Sequence, residues 1–193
     1  MSAPGKLRVA TTADAPFIHA IYAPIVRDTF ISFEIDAPAV DEIARRIAST
    51  LGTHPWLVFD DGEGVAGYAY ASEHRGRPAY QWSVDVTCYV HERARRRGIA
   101  SRLYPALFRI LEKQGFTNAF AGIALPNEAS VAMHSSAGFT EVGTYVNVGF
   151  KCGGWHDVVW MQRALAAIAP QPSAPLRFRS LGASGIEEAL AAS

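Results

Sequence analysis

The chain has 193 residues, 49% hydrophobic and 19% charged, a composition typical of a globular protein. Eighteen basic side chains balance eighteen acidic ones, so no overall field favours nucleic acid or an anionic membrane as a partner. Two cysteines, Cys88 and Cys152, without a Cys-x-x-Cys pair argue against a disulfide framework and a structural zinc site. Because no apolar run reaches membrane-spanning length and no signal-peptide pattern occurs, we expect a cytoplasmic protein.

Strands and helices are both predicted in the first half of the chain. Apolar residues at helical spacing indicate the helices, and the run Asp-Gly-Glu-Gly at 61–64 indicates a hairpin between two strands. The predicted elements are a strand at 6–10, a helix at 14–23 with Phe17, Ile18 and Ile21 on one side, a helix with Asp36 as N-cap and Pro38 in its first turn, and strands at 56–59 and 65–71.

The second half contains a strand–helix–strand unit. The predicted elements are a strand at 81–90, a helix that ends near Gly115 and contains Pro105, a strand at 118–125, a short helix at 128–136, and strands at 140–148 and 158–165. This order predicts an α/β architecture with a mixed sheet. Residues 1–165 are expected to form one domain, and residues 166–193 an Ala/Pro/Ser-rich tail. Its segment 166–177 is expected to be a linker or to lie along the surface of the domain, and segment 186–192 to add a helical turn or two.

The segment from Arg95 to Ala100 reads Arg-Arg-Arg-Gly-Ile-Ala and lies between a predicted strand and a predicted helix. A glycine turn at a helix start leaves backbone N–H groups unpaired beside the positive end of the helix dipole. Such a turn binds phosphate groups, and the small Gly98 and Ala100 let a bulky anion approach the backbone. A solvated basic turn that caps the helix is the other interpretation.

Two spaced motifs resemble the GCN5-related N-acetyltransferase (GNAT) superfamily. The first, Arg/Gln-x-x-Gly-x-Gly/Ala, is matched by Arg95, Gly98 and Ala100. The second, Asn-x-x-Ala/Ser-x-x-x-Tyr-x-x-x-Gly-Phe, is matched with histidine at the tyrosine place by Asn127, Ser130, His134, Gly138 and Phe139. Segments 125–130 and 153–158 are similar to the phosphinothricin and methionine sulfoximine acetyltransferases. The resemblance covers residues 6–165 and implies a mostly antiparallel sheet of six to seven strands with flanking helices.

The resemblance implies acetyl-CoA as cosubstrate. In the family, the pantetheine arm lies along the strand that carries residues 88–90, and the pyrophosphate rests on the glycine turn. The residues predicted to hold acetyl-CoA are Cys88, Tyr89, Val90, Arg95, Arg96, Arg97, Gly98, Ile99, Ala100, Ser101, Asn127 and Ser130. Asn127 is expected to contact the pantetheine amides, with a helix N-cap as the alternative. Cys88 is expected to be a passive strand residue.

Two residues are predicted to take part in the chemistry. The phosphinothricin family carries a glutamate, proposed as general base, where this chain has Asp85. Aspartate is one methylene shorter, which favours a water relay; a carboxylate that faces solvent or pairs with an arginine is the alternative. His134 is expected to protonate the departing thiolate or assist the base, and a packing or capping role is its alternative.

Substrate recognition is expected in the loop before this strand, because guanidinium groups bind carboxylates and phosphinates bidentately. The predicted substrate residues are Arg75, Gly76, Arg77, Asp85, Val86, Thr87, Phe33 and Tyr80. Phe30 and Trp82 are further candidates for apolar walls, although such aromatic residues are more often core. We expect no metal site, because His156 and Asp157 lack an evident third ligand.

The predicted function is transfer of acetyl from acetyl-CoA to the free amino group of a small amino-acid analogue, by direct attack in a ternary complex. The family suggests a homodimer. One alternative is a related acetyltransferase that acts on another amine, and a second is a catalytically weak acyl-CoA-binding sensor. The arginine loop and the aromatic residues favour a small closed pocket over an open peptide groove.

Overall fold

A computed structural model describes residues 5–191 and contains one mixed sheet. Within those residues, seven strands lie in the order β1-β2-β3-β4-β5-β7-β6. Neighbouring strands are antiparallel except β4 and β5, which are parallel. The strands are β1 (Lys6–Val9), β2 (Trp56–Asp60), β3 (Val65–Glu73), β4 (Ser83–Val90), β5 (Asn118–Ala124), β6 (Thr140–Lys151) and β7 (Gly154–Ala164). The predicted α/β class and mostly antiparallel sheet are confirmed.

Helices cover both faces of the sheet. They are α1 (Ala15–Asp28), α2 (Val40–Thr50), α3 (Ile99–Gln114), α4 (Glu128–Ser136) and α5 (Gly182–Ala191), with short 3₁₀ helices at Thr12–Asp14, Pro78–Tyr80, Glu92–Ala94 and Phe178–Ser180. On one face, Ile18 and Ile47 from α1 and α2 pack against Trp56 and Tyr68. On the other, Leu103, Leu107 and Leu111 of α3 belong to the larger core cluster. Burial of both faces stabilises the central strands.

Several predicted boundaries differ from the structure. Asp36 is not the N-cap of α2, because Ala39 is still extended at ψ 160° and the helix begins at Val40. Phe17 does not share the buried side of α1 with Ile18 and Ile21, since 47% of it is exposed. The strand predicted from residue 81 begins at Ser83, because Pro78–Tyr80 forms a 3₁₀ turn.

The tail packs against the rest of the chain, as the surface-lying alternative expected. Gln114, the last residue of α3, donates from Nε2 to the carbonyls of Thr53 and Leu176. Trp82 donates from Nε1 to the carbonyl of Ser173. Phe178 is 5% exposed and joins the core cluster that contains α3. The predicted terminal helix is α5, which is longer than expected; Ala192, its predicted last residue, lies outside the described residues.

Removal of the Phe178 side chain tests whether the tail stabilises the domain. Phe178→Ala is expected to lower the free energy of unfolding by about 3 to 5 kcal/mol, because it empties a buried aromatic site. Ile168, also in the tail, is 80% exposed, so Ile168→Ala is expected to change the free energy of unfolding by less than about 0.5 kcal/mol. Urea unfolding of both variants measures the difference. Equal stability of both variants would show that the tail contributes nothing.

Candidate active site

A groove opens where the two parallel strands separate. β4 and β5 pair only at Ser83–Asp85 with Asn118–Phe120. Beyond this point the strands diverge, and a groove of about 620 Å³ is lined by residues 86–90 of β4 and 121–124 of β5. The other edge of β4 stays paired with β3 up to Val90. The free edge of β4 therefore offers backbone N–H and C=O groups to an extended ligand, as in strand addition.

The glycine turn forms one end of this groove. Gly98 precedes the first residue of α3 with φ 71°, and Arg96 also has a positive φ of 62°. A side chain at Gly98 would meet no atom within 4 Å, so the space above the turn is open to a ligand. Arg95, Arg96, Ile99, Ala100 and Ser101 line the groove with it. Arg97 is exposed beside them. This arrangement fits an anionic group beside the helix dipole.

Asn127 and Ser130 lie on the opposite wall, at the start of α4. Asn127 Oδ1 accepts a hydrogen bond from the backbone N–H of Ser130, so the N-cap is present. Both residues line the groove. Because capping uses only the amide oxygen, the Asn127 NH₂ group remains a donor for a groove ligand.

His134 is buried in the groove wall and makes hydrogen bonds through both ring nitrogens. Nδ1 lies 2.8 Å from the carbonyl oxygen of Ser130, and Nε2 lies 2.8 Å from the hydroxyl of Tyr104. A carbonyl oxygen only accepts, so Nδ1 carries the proton and Nε2 accepts from Tyr104. Burial lowers the pKa of His134, which keeps the ring neutral.

Cys88 lies on β4 in the groove wall. Burial raises the pKa of its thiol to about 12, so the reactive thiolate is scarce at neutral pH. This supports the expectation that Cys88 is a strand residue and not a nucleophile.

Asp85 lies at the closed end of the groove, on the sheet face opposite α3. Its Oδ1 is 2.6 Å from Nδ1 of His74. The His74 ring is stacked on Phe120, the β5 residue paired with Asp85, at a centroid distance of 4.3 Å. Trp160 and Tyr80 contact the same ring edge-on. The site thus contains a histidine–carboxylate pair held by aromatic rings.

Burial raises the pKa of Asp85, and the hydrogen bond and charge of His74 and the charge of Arg75 oppose this shift. A carboxyl group with a raised pKa next to a groove is typical of a functional site, although structural ion pairs also shift pKa values.

The predicted substrate residues are only partly brought together. Arg75 lies over the Trp160 ring, 5.5 Å from its centroid, and donates to the carbonyl of His74. Val86 and Thr87 line the closed end of the groove. Tyr80 contacts His74, whereas Gly76 and Arg77 are exposed in the loop between β3 and the 3₁₀ turn.

The aromatic candidates other than Tyr80 fall into two places. Phe30 stacks on His156 at 4.0 Å, and Phe33 lies near the same ring, in the segment between α1 and α2. Lys151 holds this segment, because its Nζ donates to the carbonyls of Val26, Ser32 and Glu34. Trp82 is bound to the tail and does not line the groove.

His74, Tyr104 and Trp160 also belong to the site, and no sequence motif pointed to them. Strand register could have found His74, because Ser72 pairs with Asp85 and His74 is its diagonal neighbour across the β3–β4 pair. The loop between the strands hid that register. Among the described residues, no group of three His, Cys, Asp or Glu side chains could hold a metal ion. No helix of residues 5–191 is long and apolar enough to cross a membrane.

Comparison with known protein families agrees with the architecture of this groove. A family model described as an acetyltransferase (GNAT) domain matches residues 7–160. The chain belongs to the GNAT acetyltransferase family. The resemblance read from the two motifs is therefore confirmed, and the splayed strands and glycine turn are parts of a GNAT domain.

Relatives of this GNAT acetyltransferase match nearly its whole length. Phosphinothricin N-acetyltransferase of Streptomyces viridochromogenes is 37% identical over 174 residues, which cover 90% of this chain and 94% of the relative. The L-methionine sulfoximine/L-methionine sulfone acetyltransferase of Salmonella typhimurium is 31% identical over 82% of this chain and 94% of the relative. A phosphinothricin acetyltransferase from Sinorhizobium meliloti, solved in complex with AcCoA, superposes with a TM-score of 0.83 at 34% identity, covering 89% of this chain and 94% of that one.

Proposed function

We propose that this protein transfers the acetyl group of acetyl-CoA to the free amino group of a small amino-acid analogue such as phosphinothricin, methionine sulfoximine or methionine sulfone. The groove between β4 and β5 carries the proposal. It combines a free strand edge, an anion-binding turn at Gly98 and an amide donor at Asn127 in one cleft. The activities named for the relatives in Streptomyces and Salmonella support the same substrate class.

The residues predicted to hold acetyl-CoA are assigned to this groove. The turn from Arg95 to Ser101 would hold the pyrophosphate through backbone N–H groups. The free edge at Cys88, Tyr89 and Val90 would pair with the pantetheine arm, and Asn127 would donate to its amide carbonyl. A backbone N–H of the same edge would stabilise the oxyanion that forms at the thioester carbon.

The chemistry is proposed to take place at the closed end of the groove. The amine lone pair attacks the thioester carbon, the C–S bond breaks, and the nitrogen loses one proton. Asp85 is proposed as the carboxylate on which proton removal depends, because it lies where the strands begin to separate. Arg75 is proposed to bind the acidic group of the substrate, since its guanidinium lies beside the same aromatic cluster.

Protonation of the departing thiolate by His134 stays a prediction. The Nδ1 proton is bound to the carbonyl of Ser130, so a proton would have to pass through the Tyr104 hydroxyl at Nε2. An unchanged kcat in a His134→Gln variant would exclude this role.

Thiol release from acetyl-CoA in the presence of a panel of amines tests the function. We expect turnover with phosphinothricin, methionine sulfoximine and methionine sulfone, and initial-rate lines that intersect, as direct attack in a ternary complex requires. Turnover only with a polyamine or a peptide would instead support an acetyltransferase for another amine. Tight acetyl-CoA binding without any turnover would support a sensor protein.

A glycine pair tests the pyrophosphate assignment. Gly98 and Gly182 both have φ 71°, both lie at a helix start, and a Cβ at either would meet no atom within 4 Å. Gly98→Val is expected to raise the KM for acetyl-CoA by about tenfold or more, which is at least ~1.4 kcal/mol of binding. Gly182→Val imposes the same backbone strain at α5 and is expected to leave this KM unchanged. Equal values for the two variants would contradict the assignment.

We further propose a cytoplasmic homodimer. Both cysteines are free, as expected in a reducing compartment. β6 is the last strand of the sheet, and the exposed apolar side chains along it and at the start of β7 are Val142, Tyr145, Val146, Val148, Phe150 and Trp155. An apolar edge strand of this kind associates unless it is protected, so a second copy is its proposed partner.

Analytical ultracentrifugation measures this association. The wild type is expected to sediment as two chains, and Val146→Glu as one, because a charge would be buried at the interface. Ile168→Glu places the same charge on an apolar residue of the tail that is also largely exposed, and this variant is expected to stay dimeric. A monomeric wild type would refute the proposal.

A further inference from the structure

This inference rests on the proposed acetyl transfer and concerns the atom that accepts the proton of the attacking amine. Asp85 does not face the site alone, because its Oδ1 lies 2.6 Å from Nδ1 of His74. An ionised carboxylate has no proton to donate, so the proton of this contact belongs to Nδ1. The second ring nitrogen of His74, Nε2, then carries an unprotonated lone pair.

Nε2 of His74 is free to react. Within residues 5–191 it makes no hydrogen bond. It is also accessible to solvent, because it is not one of the fully buried polar atoms that lack a partner. Within residues 5–191 those atoms are Trp56 Nε1, Gln114 Oε1, Trp160 Nε1 and Arg163 Nε. A lone pair that is both basic and accessible is what a general base requires.

The ring is held firmly in its place. It is stacked on Phe120 with an interplanar angle of 14°, and the edges of Trp160 and Tyr80 approach it at 78° and 72°. Phe120 and Asp85 form the last residue pair before β4 and β5 diverge. His74 therefore lies against the pair that ends the β4–β5 ladder, and the next residues of the two strands, Val86 and Ala121, line the groove.

The His74 ring lies on the sheet face opposite α3. Side chains alternate along a strand, and Val84 and Val86 belong to the core beneath α3. Asp85 and Thr87 therefore point to the opposite face. A thioester carbon at the closed end, with its CoA moiety held beside α3, would be open to attack from the face that His74 occupies.

We propose that His74 is the catalytic base and that Asp85 is its positioning residue. Asp85 fixes the tautomer with the proton on Nδ1 and stabilises the imidazolium that forms. The imidazole extends the reach of the carboxylate by the width of a ring. The His74 ring thus compensates for the shorter reach of Asp85, which has one methylene fewer than glutamate.

The lone pair of the neutral amine forms the C–N bond, the C–S bond breaks, and the electron pair of that bond leaves on sulfur. One proton leaves nitrogen for His74 Nε2, and the imidazolium later returns it to solvent. The thiolate takes one proton from solvent, so the amide and CoA thiol are the net products.

Within residues 5–191, the charged and titratable groups around the His74 ring are few. Asp85 from β4 is hydrogen-bonded to the ring. Arg75 follows His74 in the same loop, and Tyr80 contacts the ring from the 3₁₀ turn. Tyr70 on β3 lies close enough to Asp85 for the carboxylate to raise the pKa of Tyr70. This effect is smaller than that of the burial of Tyr70. Phe120 and Trp160 are uncharged. The imidazolium would therefore face one carboxylate and one guanidinium.

Kinetics of His74 variants test the proposal. His74→Asn retains a donor to Asp85 and is expected to lower kcat by about 10²- to 10³-fold, with the Kd for acetyl-CoA unchanged. His54 is a matched control, because its ring is also stacked on a phenylalanine, Phe116, but its Nδ1 lies 2.9 Å from the hydroxyl of Thr53 and not beside a carboxylate. His54→Asn is expected to keep wild-type kcat.

Chemical rescue separates a catalytic from a structural role. Added imidazole is expected to restore turnover of His74→Ala at least about tenfold, and more basic substituted imidazoles to restore more, because a general base follows Brønsted behaviour. If His74→Ala no longer binds acetyl-CoA, His74→Asn still decides the question.

Two outcomes overturn the inference. A kcat within threefold of wild type in His74→Asn would leave Asp85 as the base, and a His74→Ala variant that binds acetyl-CoA but is not rescued by any imidazole would do the same. Neither outcome affects the proposed function, as long as the wild type releases thiol with an amine. A wild type that releases none with any amine would refute the proposed function itself.

Discussion

β4 and β5 are hydrogen-bonded for three residue pairs and then separate, and the rest of the site depends on this separation. A parallel pair needs a crossover connection, and here it is α3, whose first turn comes directly after the glycine turn at Gly98. The same divergence that exposes the edge of β4 therefore places the start of a helix beside it. One backbone arrangement provides both a strand edge for an extended chain and a dipole for an anion.

The separation also divides the chemistry between two faces of the sheet. The groove wall next to α3 holds polar groups whose hydrogen bonds are satisfied, such as the His134–Tyr104 pair. On the opposite face, Asp85 and His74 are held by Phe120 and Trp160, and Nε2 of His74 is open. A cosubstrate bound from one side and an amine arriving from the other would meet where the strands part.

Buried polar contacts fix the segments around the site. Lys151 binds one carbonyl at the end of α1 and two in the α1–α2 segment, and Gln114 joins the α2–β2 loop to the tail. Such groups are costly to bury unless they are bonded, so each contact favours one position of the chain it holds. Residues 166–191 thus take part in the packing of the domain, whereas composition alone left a linker and a surface-lying tail as alternatives.

The sequence by itself determined the family, the order of the elements and the residues of the glycine turn, because these follow from local spacing and periodicity. It placed β2, β3, α3, α4 and β5 within a residue or two, since each has a clear apolar pattern or cap. It placed the start of α2 wrongly, because Asp36 and Pro38 look like a cap while Ala39 stays extended. Only the tertiary structure decided that His74 joins Asp85 and that Tyr104 joins His134, since these contacts link residues 11 and 30 positions apart. Strand register and helix packing bring such residues together, and neither is written in the local pattern of the chain.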